Sequence, residues 1–117
     1  MEGNCIFCGI IKKTVPADIV SETNNLTVFR DIKPKAPVHL LIVPKKHVKS
    51  IAELGEDDQE LVKDMIYTAK DTAREQGLSG YQLCFNVGRD GGQVVDHLHL
   101  HLLGGWKNKT DYNEVYM

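Results

Sequence analysis

The stretch Asp96-His97-Leu98-His99-Leu100-His101-Leu102-Leu103 decides how this chain is read. Three of the five histidines fall within it, on alternate residues. Strict alternation over this length predicts a β-strand rather than a helix. Successive side chains of a strand point to opposite faces. His97, His99 and His101 therefore share one face, and Leu98, Leu100 and Leu102 share the other. The leucine face is core. A solvated strand face more often carries Thr, Lys or Glu, so the histidine face is read as lining a site. A neutral imidazole has one donor and one acceptor nitrogen. If a carbonyl holds the Nδ1 hydrogen of the central His99, its Nε2 is left as a lone pair able to attack phosphorus or carbon.

A single metal does not account for all three histidines. At about 3.3 Å per residue, the Cα atoms of His97 and His101 lie about 13 Å apart on a strand. A zinc ion with bonds of about 2 Å takes two of them at most, or one together with distant partners. At least one triad histidine is then left for other work.

The totals set the class. With 117 residues the chain forms one domain with a core of moderate size. A hydrophobic content of 42% and a charged content of 26% are ordinary for a globular protein. The net charge of −2 gives no general basic footprint for nucleic acid or anionic lipid. No apolar run approaches about 18 residues, so no membrane span is expected. The opening Met-Glu-Gly-Asn does not resemble a signal peptide. Three cysteines, an odd number, suit a reducing, cytoplasmic setting better than a disulfide framework.

Along the chain, Asn4 is the expected N-cap of a short helix from Cys5 to Lys13, stopped by Pro16. Ile6, Phe7, Ile10 and Ile11 recur on it at helical spacing, as core or as a pocket wall. Ile19 to Ser21 and Leu26 to Arg30 read as a hairpin around Thr23-Asn24-Asn25. Asp31 at its end is either solvated or placed to accept two ribose hydroxyls. Lys33 to Pro37 is a loop, and Val38 to Val43 is a third strand ending at Pro44. His39 on that strand is structural or functional, and His47 is a surface residue or a metal ligand. Asp57-Asp58-Gln59-Glu60 opens the main helix, whose apolar stripe runs from Leu61 to Ala73 and whose stop is Gly77. A strand from Tyr81 to Val87 leads into the loop Gly88-Arg89-Asp90-Gly91-Gly92-Gln93. Beside three histidines, that glycine-rich loop reads as a phosphate cradle. Cys5-x-x-Cys8 is half of a tetrahedral site, completed by histidines such as His47 and His97. A redox motif would be expected after a strand instead, and two small core residues are the plain alternative.

These residues together resemble the histidine triad (HIT) family, and within it the Hint branch. His97-Leu98-His99-Leu100-His101-Leu102-Leu103 matches the family's His-φ-His-φ-His-φ-φ motif. The likeness also runs through Phe29-Arg30-Asp31-Ile32, His39 to His47, Asn86, Gly91-Gly92-Gln93 and Gly104-Gly105. It implies a HIT domain over residues 1–105 and a C-terminal tail over 106–117. It implies an α+β fold with a five-stranded antiparallel sheet, one long and one short helix, and a homodimer with a ten-stranded sheet. It further implies hydrolysis of purine nucleoside (AMP) phosphoramidates or acyl-AMP through a nucleotidyl-histidine intermediate. On that likeness His99 is the nucleophile, and His101, His97 and His39 support it. Ile6, Phe7, Ile10, Phe29, Ile32 and Leu41 correspond to the base pocket, and Asp31 to the ribose carboxylate. Asn86, Gly92, Gln93 and the backbone at Val94 correspond to phosphate contacts. Cys5, Cys8, His47 and His97 correspond to zinc ligands in relatives that carry the cysteine pair.

The chain departs from the Hint pattern at two positions. Val94 stands where many Hint proteins have a serine that contacts the substrate near the leaving group. Arg30 replaces a common histidine beside the base pocket. A dinucleoside polyphosphate hydrolase of the Fhit-like branch and a non-catalytic, zinc-stabilised nucleotide-binding module are the competing readings.

Overall fold

The computed structural model describes residues 5–107. Asn4 and the tail beyond Lys107 lie outside the described residues, so the readings of Asn4 as a cap and of the tail as a separate segment concern them only from sequence. The elements in order are α1 (Ile6–Ile11), β1 (Ile19–Glu22), β2 (Leu26–Arg30), β3 (Val38–Pro44), α2 (Gln59–Glu75), β4 (Tyr81–Cys84) and β5 (Leu100–Gly104). Short 3-10 turns occupy Ile51–Glu53, Glu56–Asp58 and Arg89–Gly91.

The five strands form one antiparallel sheet in the order β1-β2-β3-β5-β4. Alternation along the strands separates two apolar layers. Leu26, Val28, Leu40, Ile42, Leu98, Leu100 and Leu102 pack with Met65, Ala69 and Ala73 of α2. Phe29, Leu41 and Val43 pack on the opposite face with Phe7 and Ile10 of α1. Leu41 lies opposite His101 across the β3–β5 ladder. The triad thus faces the α1 layer, and the α2 layer is supplied by its leucines.

Four boundaries differ from the expected ones, each for a local reason. Cys5 caps α1, its sulfur accepting from the Cys8 N–H at 3.4 Å. The helix ends at Ile11, well before Pro16, because Lys13 adopts φ 67°. Lys13 N–H then donates to Ile10 O at 3.1 Å and Thr14 N–H to Gly9 O at 2.9 Å, a Schellman ending with lysine in the position glycine usually takes. The histidine strand pairs only from Leu100 onward. Before it, Leu98 N–H donates to Val48 O at 2.7 Å, and the Pro44 carbonyl accepts from the His97 ring, so the ladder with β3 is interrupted there. β4 stops at Cys84, paired with His101, since its partner leaves the ladder just beyond. Helix α2 does end as expected, at Gly77 with φ 73°.

Candidate active site

The triad histidines and His39 are all buried. Buried imidazoles need partners, and these partners fix which nitrogen carries hydrogen. The Lys35 backbone N–H donates to His39 Nδ1 at 3.0 Å. A backbone N–H only donates, so neutral His39 carries its hydrogen on Nε2. Nε2 lies 2.9 Å from His101 Nδ1 and donates to it. The His101 hydrogen therefore sits on Nε2. His99 Nδ1 donates to the His97 carbonyl at 2.7 Å, which leaves Nε2 of His99 with a bare lone pair. His97 Nε2 donates to Pro44 O at 2.7 Å, so its Nδ1 is an acceptor. Every tautomer in the triad follows from one loop amide and two carbonyls.

The rings are held against each other. His99 and His101 centroids are 4.9 Å apart, and His39 and His101 centroids 5.2 Å. Phe7 of α1 meets His99 edge-on at 5.1 Å and Phe29 at 5.4 Å. Asp31, at the exit of β2, brings Oδ2 to 3.5 Å from His39 Nε2, and its Oδ1 accepts from the Lys33 N–H at 2.9 Å.

Burial dominates the titration of these groups. It lowers the pKa of His99, opposed by the hydrogen bond to His97 and by the Asp31 charge. It lowers that of His39 as well, against the pull of Asp31. His101 is pushed down to about 3, first by burial and then by the neighbouring His99, His39 and Lys35 charges. These three rings are neutral at pH 7. An anionic phosphate brought among these rings would act in the opposite sense.

The glycine-rich loop is braced by its own side chains. Gln93 is 2% exposed: its Oε1 accepts from Gly88 N–H at 2.9 Å, and its Nε2 donates to Lys49 O at 2.6 Å and Val95 O at 2.9 Å. Asn86 Nδ2 donates to Gly91 O at 2.9 Å. Arg89 makes a two-pronged bridge to Asp96 at 2.8 and 3.0 Å, and donates to Gln93 O at 2.6 Å. Gly92 needs to be glycine: φ is 88°, and a Cβ would stand 3.5 Å from Asn86 Nδ2. The Gln93 side chain, expected at the phosphate, is hydrogen-bonded to the backbone of the loop and of Lys49. What it gives the site is the loop's shape.

A second cluster adjoins the first. His97 Nδ1 lies 3.3 Å from Cys5 Sγ and 3.6 Å from Cys8 Sγ, and His47 Nδ1 lies 3.2 Å from Cys8 Sγ. All four donor atoms fall within 4.8 Å of one another. Around a tetrahedral zinc, with bonds of about 2.3 Å to sulfur and about 2.0 Å to nitrogen, adjacent donors stand about 3.5 Å apart. The donor set and its spacing fit that ion.

Of the residues expected around a base, Phe7, Ile10, Phe29 and Leu41 are buried together. Ile6 and Ile32 are 45% and 80% exposed, and Val94 is 80% exposed. Arg30 is paired with Asp18, just before β1, at 2.9 Å. Sequence reading missed the Lys35 amide and the Pro44 carbonyl, since backbone groups leave no residue-type signal. It also missed the Arg89–Asp96 brace, whose opposite charges flanking a glycine loop were a usable one.

Comparisons with known proteins bear on the family and the fold. Residues 4–114 match the family model described as the scavenger mRNA decapping enzyme C-terminal binding domain. The chain is 43% identical over 106 residues to an uncharacterized HIT-like protein of Synechococcus elongatus, covering 90% of this chain and 93% of that one. A HIT family hydrolase from Legionella pneumophila is 51% identical, with a TM-score of 0.86 over 89% of this chain and 95% of that one. A zinc-bound histidine triad family protein from Mycobacterium smegmatis is 27% identical, with a TM-score of 0.82 over 93% and 80% of the two chains. The chain belongs to the histidine triad family.

Proposed function

We propose that this protein is a nucleotide-binding hydrolase that cleaves purine nucleoside phosphoramidates or acyl-AMP, releasing AMP and an amine or acid. The observation that carries the reading is the hydrogen-bond relay. It leaves His99 Nε2 as a lone pair with no hydrogen-bond partner among the described residues, while the adjoining His101 presents Nε2–H as a donor. A neutral, oriented imidazole is a nucleophile suited to a two-step displacement.

In the first step His99 Nε2 attacks the α-phosphorus, a phosphorus–nitrogen bond forms, and the bond to the leaving group breaks. Water then displaces AMP from His99. Donors placed where charge develops lower both barriers. His101 Nε2–H and the amides of the braced glycine loop supply them. A histidine at its ordinary pKa of about 6.5 is a proton donor suited to a leaving amine. Burial holds the His39, His99 and His101 pKa values below that in the empty site, and a bound phosphate anion acts in the opposite sense, so a ring of the relay carries the proton that leaves with the amine and takes one back from the attacking water. Asp31 is assigned to the ribose hydroxyls, and Phe7, Ile10, Phe29 and Leu41, with Ile6 and Ile32 at their margin, to the base. Asn86, Gly92, Gln93 and Val94 form the loop that receives phosphate.

Cys5, Cys8, His47 and His97 are assigned to a structural zinc that ties α1 to the histidine strand. The donor spacing supports this, as does the zinc-bound relative. A homodimer joined through β4 belongs to the same proposal: β4 is an edge strand whose Tyr81 and Leu83 are exposed. A reducing cytoplasmic setting suits three cysteines that form no disulfide with one another, and no described helix is long and apolar enough to cross a membrane.

Turnover of an AMP alkylamide against a diadenosine polyphosphate tests the reading. The amide should be preferred, and His99→Ala should lose at least about 10³-fold in kcat/KM with the loss of the covalent route. Preference for the polyphosphate would move the protein to the other hydrolase class. Tight AMP binding without turnover would make it a binding module.

A further inference from the structure

Cys5 and Cys8 do more than offer two ligands. Their sulfurs approach within 4.8 Å, and they differ in access: Cys5 is half-buried while Cys8 is 4% exposed. They bracket the first turn of α1, the turn that carries Ile6 and Phe7. The Phe7 ring in turn abuts His99, His97 and Phe29. The backbone carbonyl of one ligand, His97, also holds the Nδ1 hydrogen of His99. The thiol pair is thus one residue away from the wall of the proposed base pocket, and shares a histidine with the nucleophile.

We propose that Cys5 and Cys8 form a reversible redox site, in which a peroxide converts the dithiolate to a disulfide, releases the metal and loosens nucleotide binding. The proposal rests on the zinc assignment only for the metal's release. The more accessible Cys5 thiolate attacks a peroxide oxygen; a sulfur–oxygen bond forms, the oxygen–oxygen bond breaks, and hydroxide leaves as water after taking a proton. Cys8 thiolate then attacks the Cys5 sulfenic sulfur, forming the sulfur–sulfur bond and expelling a second hydroxide, also protonated to water. The peroxide is reduced by two electrons and the two thiolates are oxidised to one disulfide. A zinc ion left with only His47 and His97 has lost half its donors and dissociates. A dithiol returns both sulfurs to the reduced state.

The disulfide changes the pocket because of its geometry. Residues three apart on a helix have Cβ atoms about 5–6 Å apart. A disulfide draws Cβ atoms to about 3.8 Å. Closing it tightens the first turn of α1 by about 1–2 Å, and Phe7 moves with that turn.

The test uses the full chain in a Cys84→Ser background, which removes the third thiol; because Cys84 lies opposite His101 in the β4–β5 ladder, the reduced Cys84→Ser protein is the reference for AMP affinity. The reduced protein is treated with hydrogen peroxide. Peptide mapping follows the Cys5–Cys8 linkage, a colorimetric chelator follows zinc, and a fluorescent AMP analogue follows affinity. The expected result is a Cys5–Cys8 disulfide, zinc release on the same time course, and AMP affinity about tenfold weaker or worse, restored by dithiothreitol with added zinc. Cys5→His keeps four ligands and removes the partner thiol; its affinity should resist peroxide. If Cys5→His does not fold, the parental time course decides alone. Thiols that stay reduced, or pass to sulfinic acid without linking, would overturn the proposal. So would a disulfide that leaves AMP affinity unchanged. Reduced protein without zinc would remove the metal assignment, while the disulfide and affinity readouts would still decide the redox site.

Discussion

Removing His39 should act on catalysis almost wholly through His101. In the structure His39 receives the Lys35 N–H and passes a hydrogen to His101 Nδ1. Its ring is 3% exposed and the His101 ring 7%, so water does not readily replace either bond. His39→Ala leaves His101 Nδ1 without its donor, at a cost of about 1–3 kcal/mol for a buried polar group. That free energy is what holds His101 in its donor tautomer and orientation. If all of it appears in the transition state, kcat/KM falls by about 5- to 150-fold, at 1.4 kcal/mol per tenfold. His101→Ala removes the donor itself and should cost about 10²–10³-fold. The double variant should then be no worse than His101→Ala alone, because the two act as one unit. The assay is steady-state hydrolysis of an AMP amide by the four members of the cycle, with thermal melts confirming that each folds. Losses that multiply in the double variant would refute the relay, and so would a His39→Ala enzyme as active as the parent.

Acid should destabilise the protein well above the pH that usually protonates carboxylates. Unfolded histidine binds a proton below about 6.5, whereas folded His101 does so only near 3. The unfolded state therefore gains protons first as pH falls, and stability drops through that window, by about 2 kcal/mol at pH 5 from His101 alone. Urea melts between pH 7 and 5 should show this, and His101→Phe should flatten the slope. Asp31→Ala should lower kcat/KM about 10- to 100-fold for a ribonucleotide, through lost charge-assisted hydrogen bonds, yet leave a 2′,3′-dideoxy substrate nearly unaffected. A uniform loss across both sugars would remove Asp31 from the ribose. Arg89→Ala should change stability by less than about 1 kcal/mol, being an exposed bridge, while raising KM by loosening the glycine loop; a large stability loss with unchanged KM would make the brace purely structural.

What the sequence revealed and what it hid differ in physical kind. Leu98, Leu100 and Leu102 announce a core face because alternation is a local property of one segment. Main-helix limits were legible for the same reason, from an acidic start and a glycine stop. The end of α1 was not, because a lysine in a left-handed conformation has no compositional signature. Nor was the start of β5, which depends on a proline carbonyl and a loop carbonyl supplied by distant residues. The cysteines, His47 and His97 suggested a metal set by residue type, but their convergence needed the fold to bring the segments after β3 and before β5 together. Tautomers were the least legible. They are set by a backbone amide in the loop before β3, and every loop has such amides.

The most direct test of the account is mass spectrometry of the protein mixed with an AMP amide and quenched during turnover. The account predicts a covalently attached nucleotide mapped to His99 and absent from His99→Asn. A nucleotide on any other residue, or steady turnover with no attached nucleotide at any time point, would contradict it.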